Sequence, residues 1–192
     1  MTDPYTGFWS GMVCGIDEAG RGPLAGPVAA AAVILPDDFP IGMLDDSKAL
    51  SPRARAAAFE EIVARASWAN EWAWPSEIDM LNILGATMLA MRRAFLRLGL
   101  SPDLVIVDGT KTPDLPCASM AMVKADARVP AVMAASIIAK VSRDRMMERY
   151  DWLYPDYGYG RHKGYPTAAH RAACRLLGPS PIQRMSFNYM KE

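Results

Sequence analysis

Residues 15–27 read "GIDEAGRGPLAGP". An apolar run ends in two adjacent acids, Asp17 and Glu18, and three glycines follow at Gly20, Gly22 and Gly26. Neighbouring carboxylates at the end of a buried run repel each other unless a cation or a proton intervenes. A glycine-rich turn lets the backbone approach a ligand closely, and a phosphate or a sugar is the usual one. The pairing points to a metal site beside a loop that reads its ligand with the main chain.

Flanking patterns place this stretch in a fold. "MVCGID" reads as a strand and "PVAAAAVIL" as a second, buried one, joined as a hairpin through the glycine-rich linker. "LDDSKALS" leads into a helix over about residues 52–67, with Ser51 as N-cap and Pro52 at its first position. "WANEWAW" alternates like a strand with one polar face. The next segment, "PSEIDMLNILGATMLAMRRAFLRLG", is helical in its apolar spacing, with Ser76 as its cap and Gly99 at its end. "LVIVDG" is a short buried strand ending in Asp108, and "CASMAMVKAD" reads as another ending near Asp126. "VPAVMAASIIAKVSRDRMMERY" is a long helix with a small-residue face, and Thr167 caps a last helix to about Leu177. Strands first, then alternating helix and strand, predict an α/β fold: one mixed sheet flanked by helices.

Composition narrows the function. The 192 residues are 51% hydrophobic, enough for one domain with a sizeable core, expected over 1–192 with its core at about 12–187. Lysine plus arginine and aspartate plus glutamate both number 21, so global charge argues for no partner. Local charge does, because six basic residues and no acid lie between Arg161 and Lys191. Three cysteines without C-x-x-C spacing fit reduced thiols in a cytoplasmic protein rather than a disulfide frame or a zinc site. "MTDPYTGFWS" does not read as a signal peptide, and the longest apolar run is too short to cross a bilayer.

Acids sit at three predicted strand ends: Asp17 with Glu18, Asp108, and Asp126. The C-terminal edge of such strands is where open sheets bind ligands. Four hard oxygen ligands suit Mg²⁺ or Mn²⁺, and two such ions can activate water at a phosphodiester. Consecutive strand residues face opposite sides, so Asp17 and Glu18 require the strand to end or bulge between them. A turn former is the competing reading of any one such aspartate, and of Asp126 in "KADARVP" most of all. Lys48, Lys124, Lys140, Arg143 and the basic segment after Arg161 are candidate phosphate contacts. Lys140 reads equally as the structural partner of a carboxylate, and Arg143 and Asp144 read rather as members of local ion pairs. Tyr157 and Tyr159 read as loop-packing aromatics, and neither His162 nor His170 has metal-ligand spacing.

The motifs "GIDEAGRGPLAGPVAAAAV", "DSKALS", "VDG", "AASIIAKVSRDR", "YPDYGYGRHKGYPTAAH" and "RMSF", in that order, closely resemble the bacterial ribonuclease HII family from about Gly15 to Phe187. The resemblance implies a ribonuclease H-like fold with a mixed five-stranded sheet. It implies catalytic metal ligands Asp17, Glu18, Asp108 and Asp126, holding two Mg²⁺ or Mn²⁺ ions. Gly20, Arg21 and Gly22 would read the 2′-hydroxyl and junction phosphates, with Lys48 as a further substrate contact. Tyr165 would stack on the deoxyribose after the ribonucleotide. The implied activity is cleavage of RNA/DNA hybrids and nicking 5′ to single ribonucleotides in duplex DNA, by a cytoplasmic monomer serving DNA repair and replication. A 2′-hydroxyl is both donor and acceptor, so backbone groups of a glycine turn suit it. One position departs: Gln183 stands where the family carries histidine, which puts a charged phosphate contact there in question. A junction resolvase or transposase core and a catalytically silent binding module are the rival readings.

Overall fold

The computed structural model describes residues 11–47 and 49–190. Five strands form one sheet: β1 Val13–Ala19, β2 Val28–Ile34, β3 Ser67–Ala73, β4 Leu104–Asp108 and β5 Ser119–Met122. Their spatial order is β3-β2-β1-β4-β5. β1 and β2 are the expected antiparallel hairpin, β3 joins β2 antiparallel, and β4 and β5 run parallel to β1. The mixed five-stranded sheet is therefore the one the motifs imply.

Helices cover both faces. On one side α2, Pro75–Leu98, closes a core of Cys14, Ile16, Val105 and Val107 with Ala90, Met91 and Phe95. On the other lie α1, Pro52–Arg65, and α3, Pro130–Leu153, which meet β2 through Ala31, Val33, Phe59, Ala134 and Ile138. The small-residue face of α3 lets it lie almost against the sheet backbone. A Cβ built on Gly15 would stand 2.2 Å from the Ala131 carbonyl carbon. α4, Tyr159–His162, and α5, Ala168–Leu177, complete the C-terminal part.

Local signals set most boundaries. Ser51 accepts from the Ala54 amide and Thr167 from the His170 amide, as N-caps do. Gly99 ends α2 in the left-handed conformation, at φ 68°. Three expectations fail. Ser76 is not the cap of α2: the helix begins at Pro75, and the Glu77 carboxylate accepts from the Trp74 amide instead. The same helix is broken at Asn82, φ 59°, whose side chain accepts from the Leu84 and Gly85 amides and so restarts it. Finally, β5 ends at Met122, and Asp126 lies beyond it in the 3₁₀ turn Ala125–Ala127.

Gly15→Ala tests the close approach of β1 and α3. Its methyl would meet main chain, which cannot step aside as a flexible side chain can. A loss of about 1–3 kcal/mol in urea unfolding is expected, whereas unchanged stability would refute the contact.

Candidate active site

Strand register brings the first two acids together. β1 and β4 pair in parallel with Gly15 opposite Ile106 and Ile16 opposite Val107. One step further stand Asp17 and Asp108, side by side at the carboxyl edge of adjacent strands and on the face that packs α3. The anticipated bulge is absent, because β1 pairs regularly with β2 through Glu18 opposite Ala30 and Ala19 opposite Ala29. Glu18 thus leaves from the opposite face, near the end of β1, and its charge acts on Asp17.

Each acid has a local anchor. Asp17 is 5% exposed; it accepts from the Glu18 amide at 2.7 Å and from Ser136, which pairs with Ser47 at 2.8 Å. Glu18 pairs with Arg21 at 3.3 Å. Asp108 accepts from the Ala125 amide at 2.8 Å, which sets the 3₁₀ turn carrying Asp126 against the end of β4. Burial pushes the Asp17 carboxyl well above the usual carboxylate range, and the charges of Glu18 and Asp108 push it further. Burial raises Glu18 too, against the pull of Arg21. Among the described residues no three acids, histidines or cysteines are already gathered as a closed cage. These buried oxygens, repelling one another, are the donor set a hard divalent cation needs.

Above the acids opens a cleft of about 430 Å³, lined by Glu18, Gly20, Arg21, Gly22, Ser136, Lys140 and Tyr165 among others. Two buried arginines hold the loop beside it, and Arg143 lines the cleft itself. Arg184, 0% exposed, donates to the carbonyls of Gly20 (2.6 Å), Arg21 (2.9 Å), Pro23 (2.8 Å) and Gly26 (2.8 Å). Arg143, 1% exposed, donates to the carbonyls of Pro27, Ala25 and Lys163. In a trans peptide the N–H points away from the C=O. Drawing the Gly20 and Arg21 carbonyls inward therefore turns the Arg21 and Gly22 amides outward. Burial lowers the pKa of Arg184 to about 9 and of Arg143 to about 10, so both stay charged at neutral pH.

The glycines now have separate reasons. Gly20 sits at φ 98°, and a Cβ there would fall 1.9 Å from Arg143 Nε, so the arginine clamp already demands glycine. A Cβ on Gly22 would lie 3.5 Å from the Tyr165 ring, in ordinary contact, and this position faces the cleft. Tyr165 is 40% exposed there.

Other expectations change. Arg143 serves the clamp and is not a phosphate contact, and Asp144 pairs with Lys140 at 2.9 Å instead. Ser136 and Lys140 do share a face, and it lines the cleft. Lys124 is exposed beside the Asp126 turn, whereas Lys48 and Lys191 fall outside the described residues. The basic segment is not one free surface: Arg184 is buried, Lys163 pairs with Glu148, and Arg171 donates to the Asn188 carbonyl. Gln183 is buried and donates to the Leu24 carbonyl at 3.0 Å, so its position holds the C-terminal segment, not phosphate. The sequence signal for the clamp was present in "SRD" and "QRMSF", but arginine in a motif reads as a surface charge until burial is known.

The ribonuclease HII family model matches residues 14–190. The chain belongs to the ribonuclease HII family. It is thus a hydrolase and a nuclease. The ribonuclease HII of Treponema denticola is 53% identical, over 92% of this chain and 98% of its own. The ribonuclease HII of Archaeoglobus fulgidus, solved in complex with PCNA, is 29% identical, covers 94% of this chain and 97% of its own, and superposes with a TM-score of 0.77. The ribonuclease H2 of Pyrococcus horikoshii is 27% identical, with 93% and 95% covered and a TM-score of 0.76. Bst ribonuclease HIII, solved in complex with Mn²⁺, shares the fold at 19% identity and a TM-score of 0.73, with 99% and 72% covered.

The raised Asp17 carboxyl gives a signed expectation. Its folded pKa exceeds the unfolded value, so the folded state holds the proton more tightly. Stability contributed by this group is present below the unfolded pKa and is lost as pH rises toward the folded one. In EDTA at pH 7.5, Asp17→Asn should melt above the parent, with the gap closing as the pH approaches about 4. Adding Mg²⁺ should raise the parent's Tm more than the variant's. A variant that melts lower in EDTA would overturn the electrostatic reading. Separately, Arg184→Ala leaves four buried carbonyls without their donor and should cost at least about 3 kcal/mol in urea unfolding; a cost near zero would show that the loop holds its shape unaided.

Proposed function

We propose that this chain hydrolyses the RNA strand of RNA/DNA hybrids and nicks duplex DNA 5′ to single embedded ribonucleotides, leaving 3′-hydroxyl and 5′-phosphate ends. The observation that carries the reading is the strand register that sets Asp17 beside Asp108, next to Glu18, which lines one cleft with the clamped glycine loop and Tyr165. Family membership supports the ribonuclease H chemistry.

Asp17, Glu18, Asp108 and Asp126 would hold two Mg²⁺ or Mn²⁺ ions. When bound, these ions supply an activated water and a Lewis acid for the leaving oxygen. The rest is the chain's own work. The carboxylates would supply the negative charge that holds the ions. The Arg21 and Gly22 amides, turned outward by Arg184, meet the ribose 2′-hydroxyl and its phosphate. Lys140, in the cleft, offers positive charge to the backbone, and Lys48 is carried as a substrate contact by the family resemblance alone. Tyr165 packs on the following sugar, a fit for deoxyribose that a 2′-hydroxyl would spoil.

We read the protein as one catalytic domain, monomeric and cytoplasmic, serving ribonucleotide removal during replication and repair. Among the described residues no helix is long and apolar enough to cross a membrane.

A duplex with one ribonucleotide, a long RNA/DNA hybrid and an all-DNA duplex, each tried with EDTA, Mg²⁺ and Mn²⁺, test this. Cleavage of the first two with metal only is expected. Asp108→Asn should lose on the order of 10³-fold in rate while still folding. Tyr165→Ala should lose roughly ten- to a hundredfold at the single ribonucleotide and less on the hybrid. Cutting of all-DNA duplex would favour a resolvase-like activity, and near-normal rates for Asp108→Asn would remove the site assignment.

A further inference from the structure

Tyr165 sits at the end of a turn, residues 162–165, closed by the Tyr165 amide on the His162 carbonyl at 2.8 Å and braced by two histidines that bond none of the four acids. His162 and His170 stack with ring centroids 4.5 Å apart and planes 14° from parallel. Tyr159, fully buried, closes on both edge-on. The bonds fix both tautomers. The Gly164 amide donates to His162 Nδ1 at 3.1 Å, so that nitrogen is bare. His162 Nε2 then carries the proton and donates to the Tyr157 carbonyl at 2.9 Å. His170 Nδ1 faces the Tyr165 carbonyl at 3.0 Å and must donate to it. Its Nε2 is buried with no partner, which costs less for a bare nitrogen than for an N–H. Burial holds both imidazoles below their ordinary pKa, consistent with a neutral pair.

One of these bonds acts on the tyrosine's own main chain and one on the residue before it. His170 takes the Tyr165 carbonyl, and His162 takes the amide just before Tyr165. The Gly164 carbonyl in turn accepts from Leu24 of the glycine loop at 2.8 Å. The imidazole pair therefore fixes where the ring stands relative to Gly22.

Resting on the sugar-checking role assigned to Tyr165, we infer that His162 and His170 are positioning residues that set the preference for single ribonucleotides by holding Tyr165 against the glycine loop. They act through the tyrosine backbone and leave cutting of long hybrids largely to the acids.

The test is the ratio of kcat/KM on a single-ribonucleotide duplex to that on a long RNA/DNA hybrid, with melting temperatures alongside. His170→Leu removes one of the two donors to the Tyr165 carbonyl, leaving the Thr167 amide at 2.8 Å, and should lower the ratio about three- to tenfold, the effect of one hydrogen bond. His170→Asn keeps a donor where Nδ1 stood and should restore most of it. His162→Phe keeps the stack but loses the acceptor for Gly164, and should also lower the ratio; it serves if His170→Leu does not fold. In a Tyr165→Ala background, either histidine change should leave the ratio where Tyr165→Ala put it, because positioning of an absent ring has no effect. Tyr165→Ala lowering the ratio while both histidine variants keep the parent's would overturn the positioning role and spare the tyrosine's. A parent-like ratio in Tyr165→Ala would overturn both. Parallel loss on both substrates in the histidine variants, with no rescue by Asn, would reduce the pair to a structural stack.

Discussion

A single guanidinium, that of Arg184, determines the shape of the functional edge. It gathers four carbonyls from seven residues of the glycine loop, with no carboxylate among its hydrogen-bond partners. Burying such a charge is costly unless every N–H finds an acceptor. The loop supplies acceptors for four of the five N–H groups and in doing so gives up its freedom. Its carbonyls point in, its outer amides point out, and the cleft inherits a surface of donors. Arg143 does the same from α3, and it also takes the Lys163 carbonyl. The glycine loop and the turn that carries Tyr165 are thus tied to one helix.

The cleft is arranged as charges of opposite sign at different depths. Carboxylates lie at the sheet edge, where burial and mutual repulsion make them costly to ionise. Two buried cations lie behind the loop, within reach of an anion through outward amides. A metal-bound phosphodiester suits both, since the cations attract the phosphate and a divalent ion relieves the acids. Holding strain of this kind in the metal-free state is what ligand sites commonly do. The stability sacrificed at Asp17 is balanced elsewhere by the alanine-rich contact of α3 with β1 and β2.

Much of this was legible along the chain. Four of the five strands and the principal helices stand close to where apolar period put them, because those signals are local, while β5 stops at Met122 and α2 starts without the Ser76 cap. Asp17 and Asp108 were candidates because each follows a buried run directly, a pattern that needs no partner to be seen. Motif order then fixed the family. The failures were also physical. Asp17 and Glu18 were expected to need the strand to end or bulge between them, yet β1 pairs regularly through both and ends one residue later, at Ala19. Asn82 broke α2 inside an unbroken helical pattern, because its amide side chain can cap a second helix as readily as it sits within one.

By itself the sequence determined the elements, the family and which carboxylates stand at strand ends, since these depend on neighbours within a few residues. Only the tertiary structure decided which charges are inside. Arg143 and Arg184 are indistinguishable in the sequence from surface cations, and Gln183 from a phosphate contact, until the chain closes over them. The partners of Arg184 lie some 160 positions away, at Gly20 to Gly26. Interactions at that separation arise from how α3, the 162–165 turn and the C-terminal segment converge on β1. No local pattern records that convergence, because the cost of burying a guanidinium is set by carbonyls that other parts of the chain supply.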